Sequence, residues 1–241
     1  MNSNGGCSVE EMLAYRYGVY DLLRRIFLWQ FPLELFTELV KASRGGQDNE
    51  LSVRPLEAPF RACLGSLQMD SLERSYRDLH IEYTRLFVGP QHLPAPPYES
   101  VYRNPERLMM QDETIDVRAI YSRNGFRVAR IGQEPDDTIG IELEFMCAMS
   151  KSSTDAFAAK DNPKLLQLVS TQKQFCDDHL FKWVPKFCKD ILDNSTSEFW
   201  KSVATFTSNF LEEDFATLNA FSSQLEGAAR SISGESDRSG V

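Results

Sequence analysis

The chain of 241 residues, 42% of them hydrophobic, is long enough to bury a sizeable core and too apolar to be disordered over most of its length. Its 35 acidic residues outweigh 26 lysines and arginines, and the formal net charge of -9 argues against a sequence-independent grip on nucleic-acid phosphates; a cationic peptide suits it better. Five cysteines, Cys7, Cys63, Cys147, Cys176 and Cys188, form no CxxC pair, so reduced, mostly buried thiols are expected rather than a disulfide framework or a zinc site.

From the N-terminus, Met1 to Glu10 has no basic start, apolar run or small-residue cleavage site, so no export signal is expected and the protein reads as cytoplasmic. Apolar residues then recur at helical spacing from Glu10 to Trp29, from Pro32 to Ser43, from Glu57 to Gln68, and along Leu72, Tyr76, Leu79, Tyr83, Leu86 and Phe87. Even the apolar stretch from Tyr17 to Phe36 carries Asp21, Arg24, Arg25 and Glu34, so no membrane insertion is expected. Ser43 to Val53 and the four-proline stretch Gly89 to Pro97 read as loops. Further helices are expected over Pro105 to Asp116, Ile139 to Met149, Pro163 to Asp178, His179 to Leu192, Ser197 to Leu211 and Asp214 to Ala228. Pro105, Pro135 and Pro163 suit first helical turns, whereas Pro185 should bend or interrupt its helix. The one strand candidate, Gly125 to Ile131 within an expected loop from Tyr121 to Asp136, alternates poorly.

The fold class is therefore all-α: one helical domain over residues 1–230, of about ten helices with a Pro-rich loop, followed by a Ser- and Gly-rich tail, 231–241, expected to be disordered. No phosphate-cradling loop and no internal repeat is present, and the acceptor pattern at Asn194, Ser195 and Thr196 reads as chance.

Three segments carry chemical information. In Glu82 to Tyr102 a helix runs into a loop whose prolines, Pro94, Pro96 and Pro97, stiffen the backbone around Tyr98 and Tyr102; it reads either as a preformed binding surface or as a rigid connector that plugs the core. Glu134 to Glu144 packs five carboxylates into eleven residues. Asp136 and Asp137 suit first a helix start, where carboxylates cap free N–H groups, and second a role as guanidinium ligands; Glu142 and Glu144 fit a solvated face. His179 to Leu192 is amphipathic, with Leu180, Trp183, Phe187 and Ile191 on one side, and His179 reads as a polar core or capping histidine or as a titrating switch.

Together these segments resemble the TorD/DmsD/NarJ family of redox-enzyme maturation chaperones. Leu86 and Phe87, then Gly89 and Pro90, then Pro96, Pro97, Tyr98, Glu99 and Ser100 are similar to its first signature; Glu134, Pro135, Asp136 and Asp137 to its second; and His179, Leu180, Trp183, Pro185 and Phe187 to a third. Thr138 stands where the second signature has histidine, which puts a pH-sensing or histidine-mediated step at this position in doubt. The resemblance implies a TorD-like helical domain in which the first two signatures lie close together and form a groove. Its ligand would be the twin-arginine leader of a molybdenum oxidoreductase, with contact to the apo catalytic subunit and, in some members, dimerisation by exchange of helices. No cofactor, metal or catalytic residue is implied. On this reading Asp136, Asp137 and, less directly, Glu99 meet the leader's arginines, while Leu86, Phe87, Pro96, Pro97, Tyr98 and Tyr102 line the apolar part. Two alternatives stay open: a NarJ-like assembly chaperone for a non-exported subunit, and a hydrolase using Asp136 and Asp137 with His92 or His179.

Overall fold

The computed structural model describes residues 8–29, 31–44, 58–90, 92–128 and 134–236, without the side chains of 229 and 231–236. Ten α-helices carry the fold: α1 Val9–Phe27, α2 Leu33–Ser43, α3 Ala58–Ser66, α4 Leu72–Tyr83, α5 Glu99–Arg103, α6 Asp112–Arg123, α7 Ile139–Ala158, α8 Asn162–Phe175, α9 Phe181–Asn194 and α10 Glu198–Ser236. Among the described residues strand pairing is limited to one isolated bridge, Tyr98 with Thr138, and no helix is long and apolar enough to cross a membrane.

Local chemistry sets several boundaries. Ser8 and Glu11 close a reciprocal capping box at the start of α1, and Asp161 caps α8 by accepting from the Lys164 N–H, with Pro163 in the first turn as expected. Pro105 and Pro135 instead lie in turns outside helices. α1 packs along α7, where a Cβ on Gly140 would come within 2.6 Å of the Leu28 side chain, so the close approach requires glycine. The core is aromatic: Phe27, Phe87, Phe187 and Trp200 meet at ring separations of 5.2 to 6.3 Å. Polar tips in this layer find backbone partners, Tyr83 donating to the Phe27 carbonyl and Trp200 to that of Leu79.

Several expectations need correction. The helix expected from Pro105 begins at Asp112 and runs to Arg123, while residues 105–111 are open chain. Gly125 to Val128 is neither strand nor helix, and 129–133 lie outside the described residues. The two helices expected on either side of Asp214 are one, α10, and its backbone stays helical to Ser236, into the stretch expected to be disordered; 237–241 lie outside the described residues. Pro185 does not interrupt α9. It follows a π-turn, Cys176–Leu180, that widens the backbone just ahead of the residues where a proline ring would clash. Cys147, Cys176 and Cys188 are buried free thiols and Cys63 is half-buried; Cys7 lies outside the described residues.

Candidate functional site

The first segment reaches the site through a π-turn. After α4 the chain widens over Thr84–Val88, and the extra residue in the turn carries both Leu86 and Phe87 into the core. The Gly89 N–H closes that turn on the Thr84 carbonyl at 2.8 Å, Pro90 has no N–H with which to continue it, and the Ala95 N–H returns to the Leu86 carbonyl at 3.3 Å. The Pro-rich loop is thus folded back on the helix it leaves. It then joins the second segment through two backbone hydrogen bonds of 2.9 Å: Ile139 N–H donates to the Pro97 carbonyl, and Glu99 N–H to that of Asp137.

Behind this junction lies a buried acidic cluster. Asp137 is fully buried and accepts from the Ser100 N–H and the Thr114 hydroxyl, both at 2.9 Å, so it caps α5 rather than its own helix. Asp136, also buried, pairs with Arg118 of α6, and its carbonyl takes the Tyr121 hydroxyl. Glu99 is fully buried between Arg103, at 2.7 Å, and His179 Nδ1, at 2.8 Å. Glu142, expected on a solvated face, is fully buried: one oxygen accepts from Trp183 Nε1 at 3.0 Å and the other makes no hydrogen bond. Burial, and then the charge of Glu99, push its carboxyl well above the ordinary range. Glu144 is half-buried and lies 3.6 Å from Arg24. The third segment supplies the polar partners of this cluster through His179 and Trp183, while Phe187 joins the aromatic core. His179, stacked on Phe175 at 5.0 Å, is the polar core histidine of the two readings.

In front of the junction opens a groove of about 740 Å³. Phe27 and Leu28 from the end of α1, Tyr83, Phe87, Pro96, Pro97, Tyr98, Val101 and Thr138 line its apolar part, with Val88, Gly89, His92, Leu93, Glu106, Arg107, Met109 and Glu134 around them. Of the residues singled out in the sequence, Phe87, Gly89, Pro96, Pro97, Tyr98 and Thr138 face the groove. Leu86, Glu99, Ser100, Pro135, Asp136 and Asp137 are buried and do not line it, and exposed Pro90 does not line it either. Tyr102 points elsewhere: its ring lies 5.6 Å from Trp183 and its hydroxyl donates to Asp190. Thr138 begins α7, yet its hydroxyl donates to the Pro135 carbonyl at 2.6 Å instead of capping.

The two carboxylates that do face the groove, Glu106 and Glu134, are exposed and form no ion pair among the described residues. Glu134 opens the acidic stretch and was therefore visible in the sequence; Glu106, Met109 and the end of α1 carried no local signal. Asp136 is held by Arg118 and His92 stands at the groove, and among the described residues no three His, Cys, Asp or Glu side chains are grouped to hold a metal.

The profile of the nitrate reductase delta subunit family matches residues 54–189, more than half of the chain, including the first two segments and the third as far as Lys189. The chain belongs to this family. The assignment bears out the resemblance to the TorD, DmsD and NarJ chaperones. Among individual relatives of this family member, the chaperone protein TorD of Aliivibrio salmonicida is 27% identical over 150 residues, 61% of this chain and 67% of the relative. TorD of a Psychrobacter species is 24% identical over 169 residues, covering 69% and 73% of the two chains. The probable Tat proofreading chaperone DmsD of Haemophilus influenzae is 28% identical over 132 residues, 55% and 58% of each.

Proposed function

We propose that this family member is a redox-enzyme maturation chaperone whose groove takes the twin-arginine leader of a molybdenum oxidoreductase, delaying export while the enzyme is completed. The observation that carries the reading is the pairing of two carboxylates lacking ion-pair partners among the described residues, Glu106 and Glu134, with an aromatic and proline-rich floor in one cavity. A leader has adjacent arginines beside a weakly apolar stretch, so its receptor needs accessible carboxylates next to an apolar surface. Asp136 and Asp137 are already engaged within the chain, which moves the guanidinium contacts to the groove-facing pair. Release follows if the completed enzyme supports the complex less well than the apo form.

The test is calorimetric titration with leader peptides from candidate enzymes and with versions in which both arginines are replaced. Binding lost on arginine replacement is expected, as is a loss of about tenfold or more in the Glu106→Gln/Glu134→Gln double variant, from charge-assisted contacts of about 1.5 kcal/mol or more. Unchanged affinity in that variant would refute the assignment. If no leader binds and an enzyme subunit co-purifies instead, the NarJ-like reading replaces it; the name of the matching family, a delta subunit, is what favours that alternative.

A further inference from the structure

We infer that residues 105–111 form an apolar arm that closes on the nonpolar stretch of the bound peptide, with Met109 in the groove and Leu108 and Met110 at its outer lip. The inference rests on the groove being a peptide site and adds which part of the chain reads the peptide's apolar half.

Every residue from Pro105 to Met110 is exposed, and Leu108, Met109 and Met110 retain 48%, 43% and 65% of their accessible surface. Single exposed apolar residues are ordinary; three in a row, of which Met109 lines the same cavity as the exposed Val88, form a contiguous apolar run of the kind that marks an interaction surface. The backbone of this segment is held rather than slack. Arg107 and Met110 have φ of 54° and 58°, the left-handed region that residues with a Cβ seldom occupy, so surrounding contacts must hold the conformation. Those contacts are present: the Glu106 N–H donates to Asn104 Oδ1 and Gln111 Nε2 to the Met109 carbonyl, both at 2.8 Å. The Arg107 guanidinium lies over the Tyr102 ring at 5.4 Å and 3.8 Å from Asp190, anchoring the arm to α9.

The occupant follows from charge and side-chain type. Glu106 on the arm and Glu134 line the same cavity and, with the Arg107 guanidinium engaged at Tyr102 and Asp190, select a cation, on a chain of net charge -9 that repels polyanions. The apolar side chains that follow Glu106 and Arg107 are one leucine and two methionines, flexible side chains that repack around different aliphatic partners. The ligand is thus a peptide with a cationic part joined to an apolar part of variable sequence.

The experiment crosses three proteins with three peptides, the third peptide being the leader with both arginines replaced. Leu108→Ser/Met109→Ser/Met110→Ser and the wild-type chain are titrated with a leader peptide and with the same peptide bearing serine across its apolar stretch, and Met109→Leu/Met110→Leu serves as the conservative control. The triple variant is expected to bind the intact leader about tenfold more weakly, to bind the serine peptide as the wild type does, and to melt at the wild-type temperature because the replaced side chains are exposed; the leucine control restores affinity. An equal loss for both peptides, or no loss for the intact one, would overturn the arm. Should wild-type binding be indifferent to the peptide's arginines, the peptide reading of the groove fails instead; arginine-dependent binding with a triple variant of wild-type affinity removes the arm alone.

Discussion

Two of the buried polar clusters among the described residues differ in the sign of what they bury. In the first, Arg16 of α1 reaches both oxygens of Asp214 on α10, at 2.5 and 3.1 Å, while Tyr20 and Gln172 add hydrogen bonds of 2.8 Å to the pair. Gln172 passes the network on to Ser150 and Ser153 of α7. In the second, Glu99, Asp137 and Glu142 lie together behind the groove, with His179 and the one-third-exposed Arg103 as the basic groups beside them. Opposite charges can be sealed completely between helices because each neutralises the other. Like charges sealed together favour the protonated form of one member, and burial and Glu99 push the Glu142 carboxyl well above its ordinary range. The first cluster fixes how α1, α7, α8 and α10 pack; the second ties the three segments together and sets the backbone of the groove floor through Tyr98 and Thr138.

That contrast can be broken most forcefully at the ion pair. Asp214→Ala leaves the Arg16 guanidinium buried without its counter-ion and should cost about 3–5 kcal/mol in urea unfolding, whereas Arg16→Met/Asp214→Leu should recover most of the loss. Next in size, Asp137→Ala strands the Ser100 N–H and the Thr114 hydroxyl and should cost about 1–3 kcal/mol, with loss of leader affinity as α5 loosens. The second cluster should answer a single neutralisation in the opposite sense from the first. Because the folded-state pKa of Glu142 is raised above its ordinary value of 4.5, its contribution is fully present below that pH and declines as pH rises. Glu142→Gln should therefore gain stability relative to wild type as pH rises above 4.5, measured as the difference in urea midpoints; a difference that stays constant would contradict the raised carboxyl. The smallest effect concerns Glu82, outside both clusters. Hydrogen bonds from Arg85, together with the Thr196 N–H and the Ser195 hydroxyl, hold its carboxyl down to about 2 against the cost of burial. Its contribution is present above pH 4.5 and lost as pH falls toward 2, so Glu82→Gln should flatten the melting temperature across that window.

Much of the fold was legible because helical periodicity is local. The stripes of α1, α2 and α4 appear where spacing places them, and the residues expected on one side of the third segment, Leu180, Trp183, Phe187 and Ile191, are all buried. Misreadings arose where one local pattern serves two physical ends. Leu108, Met109 and Met110 fall in a stretch expected to be helical and are exposed in open chain, Met109 lining the groove. Asp214 looks like a helix start, yet with no glycine or proline nearby to break the backbone the helix runs through it, and its carboxylate is spent on Arg16. The pattern at Asn194 to Thr196, which reads as chance, holds the Glu82 carboxylate through Ser195 and Thr196.

Sequence alone determined the helical class, the family resemblance and the three segments that matter, since spacing, caps and prolines act within a few residues of themselves. Only the tertiary structure decided which carboxylates are free: Asp137 meets Ser100, Arg16 meets Asp214 and Glu142 meets Trp183 across 37, 198 and 41 residues. A carboxylate's availability to a ligand is what remains after the fold has taken its partners, and partners that distant are brought together by the packing of helices, not by any pattern along the chain.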